Sequence, residues 1–277
     1  MSTAISVYHG KFGRACLYQM NRRMVTHAHR EGHLTFLVQG EPATQLISDR
    51  IYDISRESAC AINPWEPHDF RPMDEDRGAL FLILYIKPIW FLEVGRSATS
   101  ALRFGRTQVE ITDTICRSVH KVANLLLDSY TTDLFDGYLY ELTQECFDQT
   151  WQWQPSPQPL GSTPSVFTDF RVRKSIRYMT DSLGGEIQLD AVARESGLSR
   201  PHFYKLFRQQ TGITPNLFLN TLRMERAIDD LTQTDKSVTD ISGDLGFSSQ
   251  SGFTRFFCAN VGMAPTDYRR VAHVLHA

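Results

Sequence analysis

The chain has 277 residues, of which 42% are apolar and 22% charged, and a formal net charge of -2. That is enough chain for two domains with separate cores, and the composition excludes a disordered or fibrous protein. A uniformly basic nucleic-acid binder is excluded too: residues 1–168 carry 15 Lys+Arg against 19 Asp+Glu (-4), residues 169–277 carry 14 against 12 (+2). Any contact with phosphate in the second part must therefore come from local placement and helix N-termini. The five cysteines, Cys16, Cys60, Cys116, Cys146 and Cys258, are scattered without a CxxC pair, which predicts a reducing, cytoplasmic setting and no disulfide framework. Lys11 and Arg14 interrupt any N-terminal apolar run, so no signal peptide is expected. The longest apolar stretch, Ala79 to Ile86, is of strand length and far short of a membrane span.

Residues 15 to about 92 read as short strands. Leu34–Val38, Ala43–Ile47 and Ala79–Ile86 are β-branched or aromatic runs, separated by Gly40-Glu-Pro42, Asn63-Pro64 and Arg71-Pro72-Met-Asp-Glu-Asp76. They predict a small barrel or sandwich. Four histidines fall within this region: His27-Ala-His29 and His33, with Gly40 following, and His68 after Asn63-Pro-Trp-Glu-Pro67. Alternation along a strand would put His27 and His29 on one face. Four imidazoles converging in a barrel suit a small-ligand pocket or a purely internal hydrogen-bonded cluster, and they also suit a zinc, iron or copper ion. The reading adopted is a ligand site of His27, His29, His33 and His68 with Phe36 and Trp65 as apolar walls, and without metal or other cofactor.

From about Val109 the period becomes helical. Ile111, Ile115, Val119, Val122 and Leu126 form one stripe; Phe135, Leu139, Leu142 and Cys146 form a second after the turn at Thr131-Thr-Asp. The stripes must be buried against the same chain's barrel or in a dimer interface, and the dimer is the reading preferred. Next comes Gln154-Pro-Ser-Pro-Gln-Pro-Leu-Gly-Ser-Thr-Pro164, which holds four of the twelve prolines and reads as a semi-stiff linker. The expected domains are 1–153 for sensing and dimerisation, 154–168 for the linker and 169–277 for an all-helical unit.

That last segment carries one pattern twice. Gly197-Leu-Ser199, Phe203, Lys205, Phe207, Gly212 and Pro215 are matched by Gly246, Phe253, Arg255, Phe257, Gly262 and Pro265. Gly197 and Gly246 are offset by 49, the later positions by 50, which predicts one residue inserted at the start of the second recognition helix. Each copy is a helix-turn-helix, whose second helix enters the major groove. Phe203, Leu206 and Phe207, and likewise Phe253, Phe256 and Phe257, are expected to face inward. Arg200, Tyr204, Lys205 and Arg208 in the first copy, and Gln250, Ser251, Thr254 and Arg255 in the second, are the candidate DNA contacts. Arg255 is the strongest, since a guanidinium pairs bidentately with guanine O6 and N7. Between the copies about Asn216 to Gln233 predicts a spacer helix, and Ser237 with Asp240 a capped start to the next.

With both copies in view, the sequence resembles the AraC/XylS family of transcription regulators over roughly residues 170 to 270. Further residues that carry it are Thr211, Arg223-Met-Glu-Arg-Ala227, Ile241, Phe247-Ser-Ser-Gln250 and Tyr268-Arg269. The upstream region is similar to the cupin-type sensor of many members. The resemblance implies an α+β chain: a cupin-like β-barrel with two appended helices, then an all-α domain with two helix-turn-helix units. It implies a non-enzymatic regulator of promoters whose partners are double-stranded DNA, a small-molecule effector, RNA polymerase if it activates, and a second copy of itself, with no membrane partner. The readings kept beside it are a metal-binding cupin protein, in sensor or enzyme form, fused to a DNA-binding module, and a regulator controlled by a partner protein. Two residues depart from the family pattern: Pro201 stands where members often carry a base-reaching side chain, and Cys258-Ala-Asn260 replaces basic residues after Phe257.

Overall fold

The computed structural model describes residues 2–90, 103–128, 135–150, 169–185 and 187–274. The expected linker at 154–168 and the turn at Thr131-Thr-Asp133 lie outside the described residues. Two compact units are present, Met1–Gln152 together with Phe256–Ala277, and Trp153–Arg255. The contacts thus divide the chain differently from the bounds read from sequence: of the described residues, 256–274 belong with the β-rich unit.

In the first unit, strands β1 (Thr3–Gly10), β2 (Gly13–Met20), β3 (Met24–His27), β4 (Gly32–Gly40), β5 (Ala43–Ile47), β6 (Arg50–Ile54), β7 (Ser58–Ile62), β8 (His68–Pro72) and β9 (Ala79–Ile86) come first. They are followed by β10 (Gln108–Glu110), helices α1 (Asp113–Asp128) and α2 (Phe135–Thr150) and, at the far end of the chain, β11 (Ala272–Val274). The larger sheet runs β10-β7-β4-β9-β2-β1-β11 and the smaller runs β3-β8-β5-β6. The apolar run of β9 lies at the centre of the larger sheet, paired antiparallel with both β2 and β4, and a strand buried on both faces needs such a run. The β5–β6 hairpin closes on Ser48 and Asp49, both at positive φ, as a two-residue turn of the type that matches strand twist.

Alternation sorts β4 and β9 into two faces. Leu34, Phe36, Leu82, Leu84 and Ile86 belong to one apolar cluster with Ile115, Val119, Val122 and Leu126 of α1 and Phe135, Leu139, Leu142 and Cys146 of α2. Both helical stripes are therefore consumed by their own β-unit, which corrects their expected use as a dimer interface. On the opposite face Phe81 meets Phe70 of the smaller sheet edge-on, with ring centroids 5.1 Å apart. The two sheets thus face each other there, with the helices on the outer side of the larger one. The C-terminal strand adds to this unit by parallel pairing with β1, Val7 opposite Ala272 and His9 opposite Val274.

The second unit is helical: α3 (Phe170–Asp181), α4 (Leu189–Glu195), α5 (Arg200–Thr211), α6 (Pro215–Gln233), α7 (Val238–Asp244) and the start of α8 (Gln250–Val261); the short α9 (Pro265–Val271) follows in the first unit. Helix α6 has 19 residues, about 28 Å at 1.5 Å per residue. Ser237 and Asp240 form the expected capping box at the start of α7, each side chain accepting the other's backbone N–H.

Candidate DNA-reading helices and a buried histidine cluster

The duplication is visible in the backbone. Gly197 and Gly246, the turn glycines, have φ of 71° and 72°; Gly212 and Gly262, which follow α5 and α8, have 81° and 86°. Left-handed φ disfavours any residue with a Cβ, and glycine supplies it without strain. The inserted residue belongs to the turn and not, as expected, to the recognition helix. Ser199 is the N-cap of α5, and Ser249, fifty residues on, accepts the N–H of Gly252 at 3.1 Å at the start of α8. The longer Phe247-Ser-Ser249 stretch stands where Leu198-Ser199 serves the first copy.

Phe203, Phe207, Phe253 and Phe257 are completely buried at i, i+4 spacing, while Leu206 and Phe256 are only half-buried. The expected inward triplets are therefore pairs, because a third consecutive-turn position rotates toward solvent at 100° per residue. Arg200, Lys205, Arg208, Gln250, Ser251 and Arg255 are exposed; Tyr204 and Thr254 are half-buried. All eight lie on the outer faces of α5 and α8. Three of them already have partners: Arg200 is 3.2 Å from Asp190, its guanidinium lies 5.7 Å from the centre of the Tyr204 ring, and Gln250 accepts the hydroxyl of Thr239 at 2.9 Å. Pro201 lies in the first turn of α5, where a missing N–H costs nothing.

Between the two sheets the four histidines do come together. His27 ends β3, His29 follows it, His33 lies in β4 and His68 begins β8 opposite His27. Ring centroids are 4.4 Å apart for His27 and His68, 4.5 Å for His33 and His68, 4.7 Å for His29 and His33, and 4.9 Å for His29 and His68. His29, His33 and His68 are buried and His27 half-buried. Burial is the main cause that holds all four imidazoles below their ordinary pKa; in His29, His33 and His68 the neighbouring imidazoles push the same way. The cluster is therefore neutral near pH 7.

Backbone carbonyls orient three of the rings. Nδ1 of His27 lies 2.8 Å from the Val25 oxygen, that of His29 2.9 Å from the Glu31 oxygen and that of His68 2.8 Å from the Glu66 oxygen. A carbonyl only accepts, so each Nδ1 carries the proton and each Nε2 presents a lone pair. Trp65, at a φ of 64° unusual for a bulky residue, donates its backbone N–H to the His29 carbonyl at 2.8 Å and so ties the turn before His68 to His29. Its side chain is half-buried near Arg30.

Phe36 does not join this cluster. It lies on the other face of β4 from His33, in the core beneath α1, where with Val38, Ile111 and Val119 it lines a separate cavity of about 390 Å³. The sequence reading also missed Tyr85, whose ring lies 4.9 Å from that of His29 and 5.4 Å from that of His33. Arg14 lies over the ring of Tyr85 at 4.0 Å and pairs with Glu31 at 3.7 Å. The signal was available in the alternation of β9, which puts Tyr85 on the same face as Phe81 and opposite to Leu84.

A β-sheet unit with an enclosed polar cluster and duplicated helix-turn-helix geometry on the same chain define a two-part, sensor-and-reader class of protein. Comparison with known proteins gives the family. Residues 12–143 match the AraC-like ligand binding domain and residues 192–271 match a helix-turn-helix domain. An uncharacterized HTH-type transcriptional regulator of Staphylococcus aureus (strain COL) is 30% identical over 159 residues, covering 56% of this chain and 21% of that protein. The HTH-type transcriptional activator RhaS of Escherichia coli O139:H28 is 34% identical over 100 residues, 36% of each chain. The crystal structure of a single-residue variant of apo ToxT from Vibrio cholerae aligns over 93% of this chain and 96% of that one with a TM-score of 0.56 at 11% identity, a likeness of fold. The chain belongs to the AraC family of transcriptional regulators. It matches about a fifth of the length of the staphylococcal relative.

Proposed function

We propose that the protein is a sequence-specific DNA-binding regulator of transcription, an activator or a repressor, controlled by a small molecule held in its N-terminal β-unit. The observation that carries the reading is the repetition of one recognition face: Arg200, Tyr204, Lys205 and Arg208 on α5 and Gln250, Ser251, Thr254 and Arg255 on α8, each opposite a buried phenylalanine pair. Two such faces on one chain read two segments of duplex, phosphate contacts setting the register and base contacts the sequence. The effector site in this reading is the enclosure of His27, His29, His33 and His68 with Trp65 at its edge. A ligand there changes DNA occupancy only by binding two arrangements of the protein with different affinity.

Membership of the AraC family supports a non-enzymatic, cytoplasmic regulator that works as a homodimer and, if an activator, contacts RNA polymerase. No described helix is long and apolar enough to cross a membrane. The exposed faces of α1 and α2 remain for a second copy, since the apolar stripes are occupied.

Selection from a random duplex pool by the full chain tests the DNA reading. A bipartite enriched sequence is expected; uniform, salt-sensitive binding without enrichment would overturn it. Thermal unfolding of the full chain against a metabolite panel tests the sensor, since an effector at 100 times its dissociation constant adds about 2.7 kcal/mol.

A further inference from the structure

We propose that His27, His29 and His68 form a site for a divalent transition-metal ion of the zinc class, held by their three Nε2 atoms. The inference deepens the reading of the histidines as the binding site of the β-unit, and it is independent of the reading of α5 and α8. One ring nitrogen from each of the three histidines lies within 4.8 Å of the others, a convergence somewhat wider than the ligand spacing around a bound ion. With metal–nitrogen distances of about 2.0–2.1 Å, small rotations of the rings close the set.

Their protonation is set for the task. Each Nδ1–H is bound to a backbone carbonyl, of Val25, Glu31 and Glu66, and this is the outer arrangement that fixes a metal-ligating imidazole and keeps its Nε2 unprotonated. An internal polar network would use those lone pairs on protein donors. Here Nε2 of His68, one of the three ligands, is buried with no hydrogen-bond partner, as is Nε2 of the neighbouring His33, and only the lone pair of His29 Nε2 is taken up, by His33. Buried polar atoms left in this way cost free energy that a cation recovers. His33 closes the fourth side: its Nδ1 lies 2.8 Å from His29 Nε2 and donates to it, taking the position a cation would take at that lone pair. Binding an ion replaces this hydrogen bond with a metal–nitrogen bond and frees His33. An all-imidazole set favours zinc, copper, nickel, cobalt or iron over magnesium or calcium, which take oxygen ligands.

The test uses the full chain, treated with a chelator that is then removed, and titrated with Co²⁺ as a visible probe and with Zn²⁺. One Co²⁺ per chain is expected, with ligand-field absorption of a nitrogen-coordinated ion, displacement by Zn²⁺ and a raised melting temperature. His27→Ala and His68→Gln should each weaken uptake by more than the roughly 10–100-fold that losing an outer hydrogen-bond partner costs. His120→Ala, on the exposed side of α1, should leave it unchanged. Should the buried variant fail to fold, nitrogen NMR of the wild type with labelled histidine decides. Zn²⁺ must then move the three unprotonated Nε2 resonances and spare the Nδ1–H of the same rings. No saturable uptake by the folded wild type, or uptake undiminished in a folded His27→Ala/His68→Gln double variant, overturns the site. A metal-free result alongside a hit in the metabolite panel would refute the ion and leave the small-molecule sensor standing.

Discussion

His33 Nδ1 lies 2.8 Å from His29 Nε2, and this contact settles the protonation of both rings. His29 already gives its Nδ1 proton to the Glu31 carbonyl, so its Nε2 must accept and His33 must donate. All four imidazoles of the cluster then share one tautomer, with the proton on Nδ1. Nitrogen–proton correlation spectra of the metal-free protein at neutral pH are expected to give four Nδ1–H tautomers from the cluster. A buried Nε2–H among them would break the scheme, since it would place a proton where the geometry provides a lone pair.

The turn of the first helix-turn-helix offers a cleaner energetic test. A Cβ built on Gly197 meets nothing within 4 Å, so its φ of 71° is the single obstacle to a side chain. Gly197→Ala should destabilise the protein by about 1–2 kcal/mol, the cost of a left-handed conformation for an L-residue. Gly197→Asn should recover part of it, because asparagine tolerates that region. The readout is the denaturation midpoint at unchanged m-value. Equal losses for both variants would mean that the backbone conformation is not what the glycine provides.

How much of this was legible beforehand depends on period. The duplication could be read because its glycines, phenylalanines and prolines repeat at fixed offsets and each answers a backbone or packing requirement. Two strands, Ala43–Ile47 and Ala79–Ile86, match their observed bounds because turn residues flank them closely. The histidines were found because they are chemically rare. Phe36 was misplaced because its one-residue offset from Thr35 sends it to the opposite face of β4, and the alternation was not followed through. The helical stripes showed that a partner surface was needed without saying whose. Tyr85 was hidden inside an apolar run, where an aromatic residue reads as core. No periodicity could announce that the last residues return to pair with β1, since three residues form that strand.

That returning segment makes a pH prediction. Tyr268, completely buried, bonds His9 through its hydroxyl at 3.0 Å, and Tyr8 stacks on His273 at 4.9 Å. Burial first, and then the charges of Arg14 and Lys87, lower the His9 pKa to about 3. His9 is thus neutral in the fold, whereas in the unfolded chain it takes a proton below its ordinary value of about 6.5. The unfolded state binds the extra proton, so stability is undiminished above that pH and declines as pH falls from 6.5 toward 3. The contribution of this one ring approaches about 1.4 kcal/mol per pH unit within the window. Other buried histidines add to the total, so the measurement is a difference: unfolding of wild type and of His9→Gln across about pH 7 to 4. The variant should show the shallower decline, and parallel profiles would mean that His9 is protonated in the fold.

Arg255 is the residue on which base reading most depends. It is exposed on the outer face of α8, one helical turn from Ser251 and adjacent to Thr254, at the position Lys205 holds in the first copy. The two are not equivalent: a guanidinium offers a rigid fork of donors that fits guanine, while an ammonium is a flexible point charge. Arg255→Ala is expected to cost about 1–3 kcal/mol on the selected sequence and to relax preference at one base pair. Lys205→Ala should weaken binding more evenly across sequences. Titrations at several salt concentrations separate the two roles, because losing a phosphate contact lowers the slope of log K against log salt by about 0.9. Loss of affinity with an unchanged slope and a degenerate base identifies Arg255 as a reader. An equal loss on random and selected DNA, with the slope reduced, would make it a phosphate anchor and move the weight of recognition to Gln250 and the first copy.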